Sequence, residues 1–150
     1  MYLAIQKKLR IRIKKINIKV TLIPSRILKL YNLKMENVLI KELRGKLEKK
    51  AFENAFLYFQ TMDYQAALIA FKDVLRDFPE SQYKEDVLYW MLVTNYEVAI
   101  KSVKNKKQER FEDTINSYYK FVDTFPESRK INQAEKYYKI SVKQLEIINS

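Results

Sequence analysis

The chain has no cysteine and no histidine. Without cysteine no disulfide can form, and the redox compartment is not readable from composition. The same two absences remove the usual zinc, haem and iron–sulfur ligand sets, the imidazole base and the thiolate nucleophile. One glycine excludes the Gly-rich loops that cradle nucleotide phosphates. Three prolines and one glycine in 150 residues argue against a turn-rich all-β fold and against Pro/Gly-rich disorder. No run approaches the roughly 20 apolar residues that cross a bilayer. The longest uncharged run near the start, residues 20–25, is shorter than the apolar region of a secretory signal.

What is present is hydrophobic enough for one core, 47% with 13% aromatic, in long stretches of Lys, Leu, Glu, Ala and Tyr without a breaker. That composition predicts an all-α chain and one domain. The net charge of +11 is concentrated: residues 1–35 hold ten Lys or Arg and no acid, whereas the remainder is nearly neutral. The division predicted is a basic, irregular N-terminal segment over 1–35 and a helical repeat domain over 36–150. Within the segment, Leu9 to Ile13 and Ile16 to Val20 alternate apolar and basic residues, a strand-like period. Three readings stand for it: a phosphate-binding arm, an anionic-membrane contact, or a poorly ordered, non-native leader. No aromatic residue interleaves with the cations between Tyr2 and Tyr31, which speaks against a base-stacking platform and against nucleic acid as partner.

From Glu36 the period changes to three and four. Val38, Leu39, Leu43, Leu47, Ala51, Ala55, Tyr58 and Phe59 mark the buried stripe of a first helix ending near Thr61. Gly45 is its weak point. Asp63 is a natural cap for a second helix carrying Ala66, Ala67, Ala70, Phe71, Val74 and Phe78, stopped by Pro79. A third helix starts at Ser81 or Gln82, with a loop expected near 104–108. A fourth carries Phe111, Ile115, Tyr118, Tyr119, Val122 and Phe125 and stops at Pro126. A fifth begins near Arg129. The phrase FPES, at 78–81 and again at 125–128, is read as the hinge between successive helix pairs, with Ser81 or Ser128 capping the next helix.

Helix, turn, helix, proline resembles the tetratricopeptide repeat. Counting back from Pro79, its small and aromatic positions fall on Ala55, Tyr58, Ala67 and Phe71: the alanines admit close helix approach, and Tyr58 and Phe71 fill the gap. Around Pro126 the match is looser, with Tyr118 in the aromatic place, Thr114 in the alanine place and Phe125 before the proline. That unit is about 13 residues longer than the family's roughly 34, and the excess is placed near residues 100–108.

The stretches KLEKKAFENA, DYQAALIAFKDVLRDFP and KKQERFEDTINSYYKFVDTFPES resemble, more closely, the BamD family of outer-membrane assembly lipoproteins in its Bacteroidetes-type form. The resemblance covers about 36–147 and the family's C-terminal repeats. It implies an α-α superhelix, no enzymatic activity and no cofactor. It also implies a lipid-held place on the periplasmic face of the outer membrane, and a BamA-like barrel-assembly subunit as partner. The sequence departs from the family in carrying no cysteine for a lipid and no signal, so a truncated gene or shifted frame upstream of about Met35 is expected, with apolar surface at the cut end. Tyr89, Trp90 and Tyr96 on the third helix are the candidate partner-binding anchors, packing between repeats being the alternative. No catalytic or metal residue is expected.

Overall fold

The computed structural model describes residues 25–150. Five helices follow one another: α1 (Ser25–Gln60), α2 (Tyr64–Asp77), α3 (Lys84–Lys101), α4 (Lys104–Thr124) and α5 (Ile131–Asn149). No strand occurs among the described residues. The fold is all-helical, of the tetratricopeptide-like repeat class expected. The sequence segment read as strand-like, residues 9–20, lies outside the described residues, as does most of the basic arm.

The chain forms two compact units, Met1–Leu43 and Arg44–Ser150. Of the first, the structure describes the opening half of α1, which starts at the residue after Pro24 and runs through position 35. Ile27, Leu30, Leu33, Val38 and Ile40 are all exposed there.

The second unit is built from helix pairs. The turn from α1 into α2 is a two-bond closure: Asp63 N–H donates to Tyr58 O at 2.9 Å and Met62 N–H to Phe59 O at 3.0 Å. Met62 takes the left-handed conformation this closure requires, φ 64, without the usual glycine. Asp63 then caps α2, its Oδ1 accepting from Ala66 N–H at 3.2 Å. So tight a reversal brings the two helices close together, and Ala55 on α1 and Ala67 on α2 are both fully buried. The core they open holds Phe71, Val74, Val87, Leu92 and Phe121.

α3 is the central helix. Val87, Leu88, Tyr89, Met91, Leu92, Val93, Thr94, Val98 and Ala99 are all buried. It is covered on several sides, which is why it shows no clean stripe. Three small hydroxyl residues are fully buried, Thr94, Thr114 and Ser141. Each donates back to the carbonyl four residues earlier: Trp90 O at 2.6 Å, Arg110 O at 3.0 Å and Tyr137 O at 2.7 Å. The polar atom is thereby satisfied inside its own helix.

Two sequence expectations are corrected here. The loop predicted near 104–108 is the first turn of α4, and the linker is Ser102–Val103. The extra length of the second pair is helical: α4 has 21 residues against 14 in α2, about two more turns. Lys and Gln continue a helix readily, and Asn105 alone among them is a weak helix former, so polarity rather than propensity suggested a loop. The stripe drawn on α1 is also corrected. Val38, Leu43, Leu47 and Tyr58 are exposed, between 41 and 59%. Of the stripe, Ala51, Ala55 and Phe59 do pack, and Phe52 and Phe56, outside it, pack beside them.

Gly45 lies in α1 with nothing within 4 Å of where a Cβ would stand. Gly45→Ala is expected to stabilise the helix by about 1 kcal/mol, measured as a rise in the urea midpoint with unchanged slope.

Candidate functional site

Both FPES phrases fold identically. Phe78 and Phe125 end their helices with the same backbone angles, φ −133 and ψ 66, and their N–H groups reach back to Val74 O and Phe121 O. Ser81 N–H returns to Phe78 O at 3.0 Å and Ser128 N–H to Phe125 O at 3.1 Å. The serine hydroxyls do not make the helix cap assigned to them. Each accepts the N–H two residues on, Tyr83 at 3.2 Å and Lys130 at 3.1 Å. Each also donates to a carboxylate on the first helix of the preceding pair: Ser81 Oγ to Glu48 Oε2 at 3.1 Å and Ser128 Oγ to Glu85 Oε1 at 2.7 Å. The helices that follow begin only at Lys84 and Ile131, with no side-chain cap bond. The correction has a simple cause: a serine already bridging a turn and a carboxylate is set back from the helix start. Ser128→Ala is expected to cost about 1 kcal/mol, with Glu85→Gln partly non-additive to it in a double-mutant cycle by urea denaturation. Lys130 reinforces the second hinge, pairing with Asp86 and lying 5.4 Å from the Tyr89 ring centre.

A row of half-buried aromatic rings fills the seam between α1 and α3. Tyr83 stacks on Phe52 at 5.1 Å, and Phe52 on Phe56 at 6.2 Å. Trp90 sits between Phe56 at 4.8 Å and Phe59 at 4.9 Å. Phe59 meets Tyr64 at 5.7 Å, and the Lys101 ammonium lies 4.3 Å from the Tyr64 ring centre while donating to its hydroxyl at 2.8 Å. Of the three anchors picked from sequence, Trp90 belongs to this row. Tyr89 is buried, its hydroxyl donating to Gln133 Oε1 at 3.0 Å and its ring edge-on to Phe121. Tyr96 packs on Tyr137 at 5.0 Å. Tyr89 and Trp90 also meet edge to face at 5.4 Å; Trp90 faces α1, while Tyr89 and Tyr96 both reach α5.

Among the repeat-signature residues, Ala55, Ala67 and Phe71 have no exposure. Pro79 and Pro126 follow the helix ends, and Phe125 is half-buried at the second hinge. Tyr118 stacks on Tyr138 at 4.6 Å between α4 and α5. Tyr58 is the exception: it is 45% exposed, and Phe59 does the packing. A shift of one residue moves a helical side chain by about 100°, more than a sequence count resolves. Phe52 and Phe56 were the missed signal, legible with Phe59 as a three- and four-residue spacing of rings.

Burial raises the pKa of Tyr89, Tyr96 and Tyr118 above the ordinary tyrosine value, with neighbouring acid or tyrosine groups adding to it. Tyr119 is raised chiefly by its hydrogen bond with Tyr138, at 3.1 Å between the hydroxyls. The fold thus prefers these phenols neutral. Their contribution is fully present below the unfolded value of about 10 and is lost as pH rises through the higher folded values. Stability is expected to fall from about pH 10 upward, and tyrosinate absorbance should lag behind that of free tyrosine until the unfolding transition releases it.

An open polar cleft of about 450 Å³ lies beside the first hinge, lined by Glu80, Ser81, Gln82, Lys84, Glu85, Thr124 and Phe125. No group of acidic side chains among the described residues is arranged to hold a metal ion, and no described helix is long and apolar enough to cross a membrane.

Helix pairs joined by duplicated proline hinges, with small residues at their contacts and aromatic rings along their seams, define a helical-repeat protein of the tetratricopeptide class. Residues 44–145 match the family model YfiO, outer membrane lipoprotein. The chain belongs to that family, which is one of outer-membrane lipoproteins. No curated protein matches it.

Proposed function

We propose that the chain is a non-enzymatic scaffold of the β-barrel assembly machinery, a BamD-like protein acting in outer-membrane protein assembly through its C-terminal repeats. The observation that carries this reading is the family match over 44–145, which spans both hinges and nearly all of the helix-pair unit. Membership supports protein partners in outer-membrane assembly and a place at that membrane; a BamA-like subunit and the periplasmic face are the finer parts of the proposal. The aromatic seam fits the role of a rigid adaptor, because it locks α3 against α1 and keeps the pairs in one geometry. The proposed division into a basic segment and a repeat domain places this activity in the repeats.

The test is binding of the periplasmic domains of a BamA-like protein to the chain, with and without residues 1–24. Calorimetry and Trp90 emission, from the single tryptophan, report the complex. Saturable binding that survives the deletion and moderate salt supports the reading. Binding that disappears with the deletion and falls steeply with salt makes the basic arm the interacting element and overturns it.

A further inference from the structure

The two helix pairs can be matched through their hinges. Phe78 and Phe125 close α2 and α4 with the same geometry, and pairing them sets Ala67 on Thr114 and Val74 on Phe121, all four buried. In this register α2 begins at Tyr64, opposite Phe111, so the first two turns of α4, residues 104–110, have no counterpart. The carboxylates that the hinge serines bind, Glu48 and Glu85, give the same comparison for α1 and α3. α1 then ends at Gln60, opposite Glu97, and α3 runs on for another turn to Lys101. The second pair therefore projects past the first at its turn end, by about 10 Å along α4. Lys101 marks the base of the projection, its ammonium donating to the hydroxyl of Tyr64 at the start of α2 at 2.8 Å.

The projection differs from the rest of its unit in charge. Residues 98–110 carry Lys101, Lys104, Lys106, Lys107 and Arg110 against Glu109 alone. The remainder of Arg44–Ser150 holds 13 basic and 15 acidic side chains. Lys101 pairs with Glu97 and Arg110 with Asp113. Lys104, Lys106 and Lys107 make no ion pair among the described residues. These three stand at the start of α4, where the first turn has no acid and cations oppose the helix dipole. The N-cap position holds Val103, 67% exposed and making no side-chain cap bond, where Ser, Thr, Asp or Asn would serve the helix better. Ile100, three residues earlier, is exposed as well.

We propose that this projecting tip is a contact for an anionic lipid surface. The lysine ammonium groups meet phosphate headgroups, and Val103 and Ile100 enter the boundary between headgroups and acyl chains. The lysine stems lie along apolar surface while their charged ends stay at the headgroups, so cations and apolar side chains share one interface. The two apolar side chains decide for lipid over an acidic protein or a nucleic acid, either of which would take the charges alone. The inference goes beyond the scaffold reading and does not depend on it, because it rests on the tip's own residues.

The absence of cysteine makes the test direct. Val103→Cys in the full chain takes a single nitroxide at the tip, and Glu127→Cys takes one at the second hinge as the control. Whatever the basic arm adds to vesicle binding, the label reports the tip alone. On vesicles of equal parts phosphatidylglycerol and phosphatidylcholine, the label at 103 should gain collisions with oxygen and lose them with a water-soluble nickel chelate. The label at 127 should not change, and neither label should respond to phosphatidylcholine alone. Lys104→Gln, Lys106→Gln and Lys107→Gln together should lower vesicle partitioning about 100-fold and return the label at 103 to water. The three substitutions also remove cations that oppose the dipole, so the fold is retained. A label at 103 that stays in water while the chain is bound to anionic vesicles overturns the proposal, as does a chain that does not bind them. Burial of the label that persists in the triple variant overturns it too. So does binding of polyglutamate or an oligonucleotide that the triple variant abolishes while the label stays in water on vesicles: the tip would then seat an acidic macromolecule.

Discussion

Phe71→Ala is expected to destabilise the Arg44–Ser150 unit by about 3–5 kcal/mol. Phe71 has no exposure, and its ring meets Phe52 at 6.4 Å across the α1–α2 contact. It belongs to the same cluster as Ala55, Ala67, Val74, Val87 and Leu92, so truncation removes a large apolar group from a core that successive helix pairs share. The surrounding backbone is helical on every side and cannot collapse freely, so most of the cavity penalty remains. Against a domain stability of about 5–15 kcal/mol, a loss of this size leaves the unit marginal at room temperature. Chemical denaturation followed by helix ellipticity measures it. Tyr58→Ala is the control, because that side chain is exposed: its effect should stay within about 0.5 kcal/mol. Equal effects from the two substitutions would return Tyr58 to the gap between the helices and contradict the packing.

The opposite change at the same contact, Ala67→Leu, is expected to cost about 1–3 kcal/mol by overpacking. Ala67 is fully buried and faces a helix whose own contact residue is Ala55, also without exposure. The added carbons have nowhere to go unless α2 moves away from α1. That movement would pull on the Asp63 cap and on the Met62 turn, both close to the contact along the chain. Amide hydrogen exchange at the start of α2 should therefore rise together with the loss of stability. A stability loss with unaltered exchange there would show the strain relieved elsewhere.

These two substitutions mark what the sequence made legible. Alanines before a proline-terminated stripe, with phenylalanine in phase, identified the α1–α2 contact, because small residues in an otherwise large apolar stripe leave room for a second backbone to approach. The duplicated FPES identified the hinge because proline ends helices wherever it falls. The serine ties to Glu48 and Glu85 were not legible, since a carboxylate on a distant helix leaves no local trace. Nor was the orientation of α1. It carries more than one apolar row, and only the folded partners decide that Phe52, Phe56 and Phe59 are covered while Leu47 and Tyr58 are not. The packing of the three aromatic residues chosen on α3 was not legible for a related reason. On a helix buried nearly all round, three rings spread over about two turns need not share a face: Trp90 meets Phe56 on α1, whereas Tyr89 and Tyr96 both reach α5.

At the second hinge the base of α5 is tied to α3 by the Ser128–Glu85 bond and by the pairing of Lys130 with Asp86. α5 has 19 residues, a rod about 28 Å long at roughly 1.5 Å per residue. A tilt of about 10° at that base would swing the far end by about 5 Å, roughly one helical turn. The Ser128–Glu85 bond, 2.7 Å long, thus sits at the short end of a lever, where a small change in angle becomes a displacement of a whole turn at the far end.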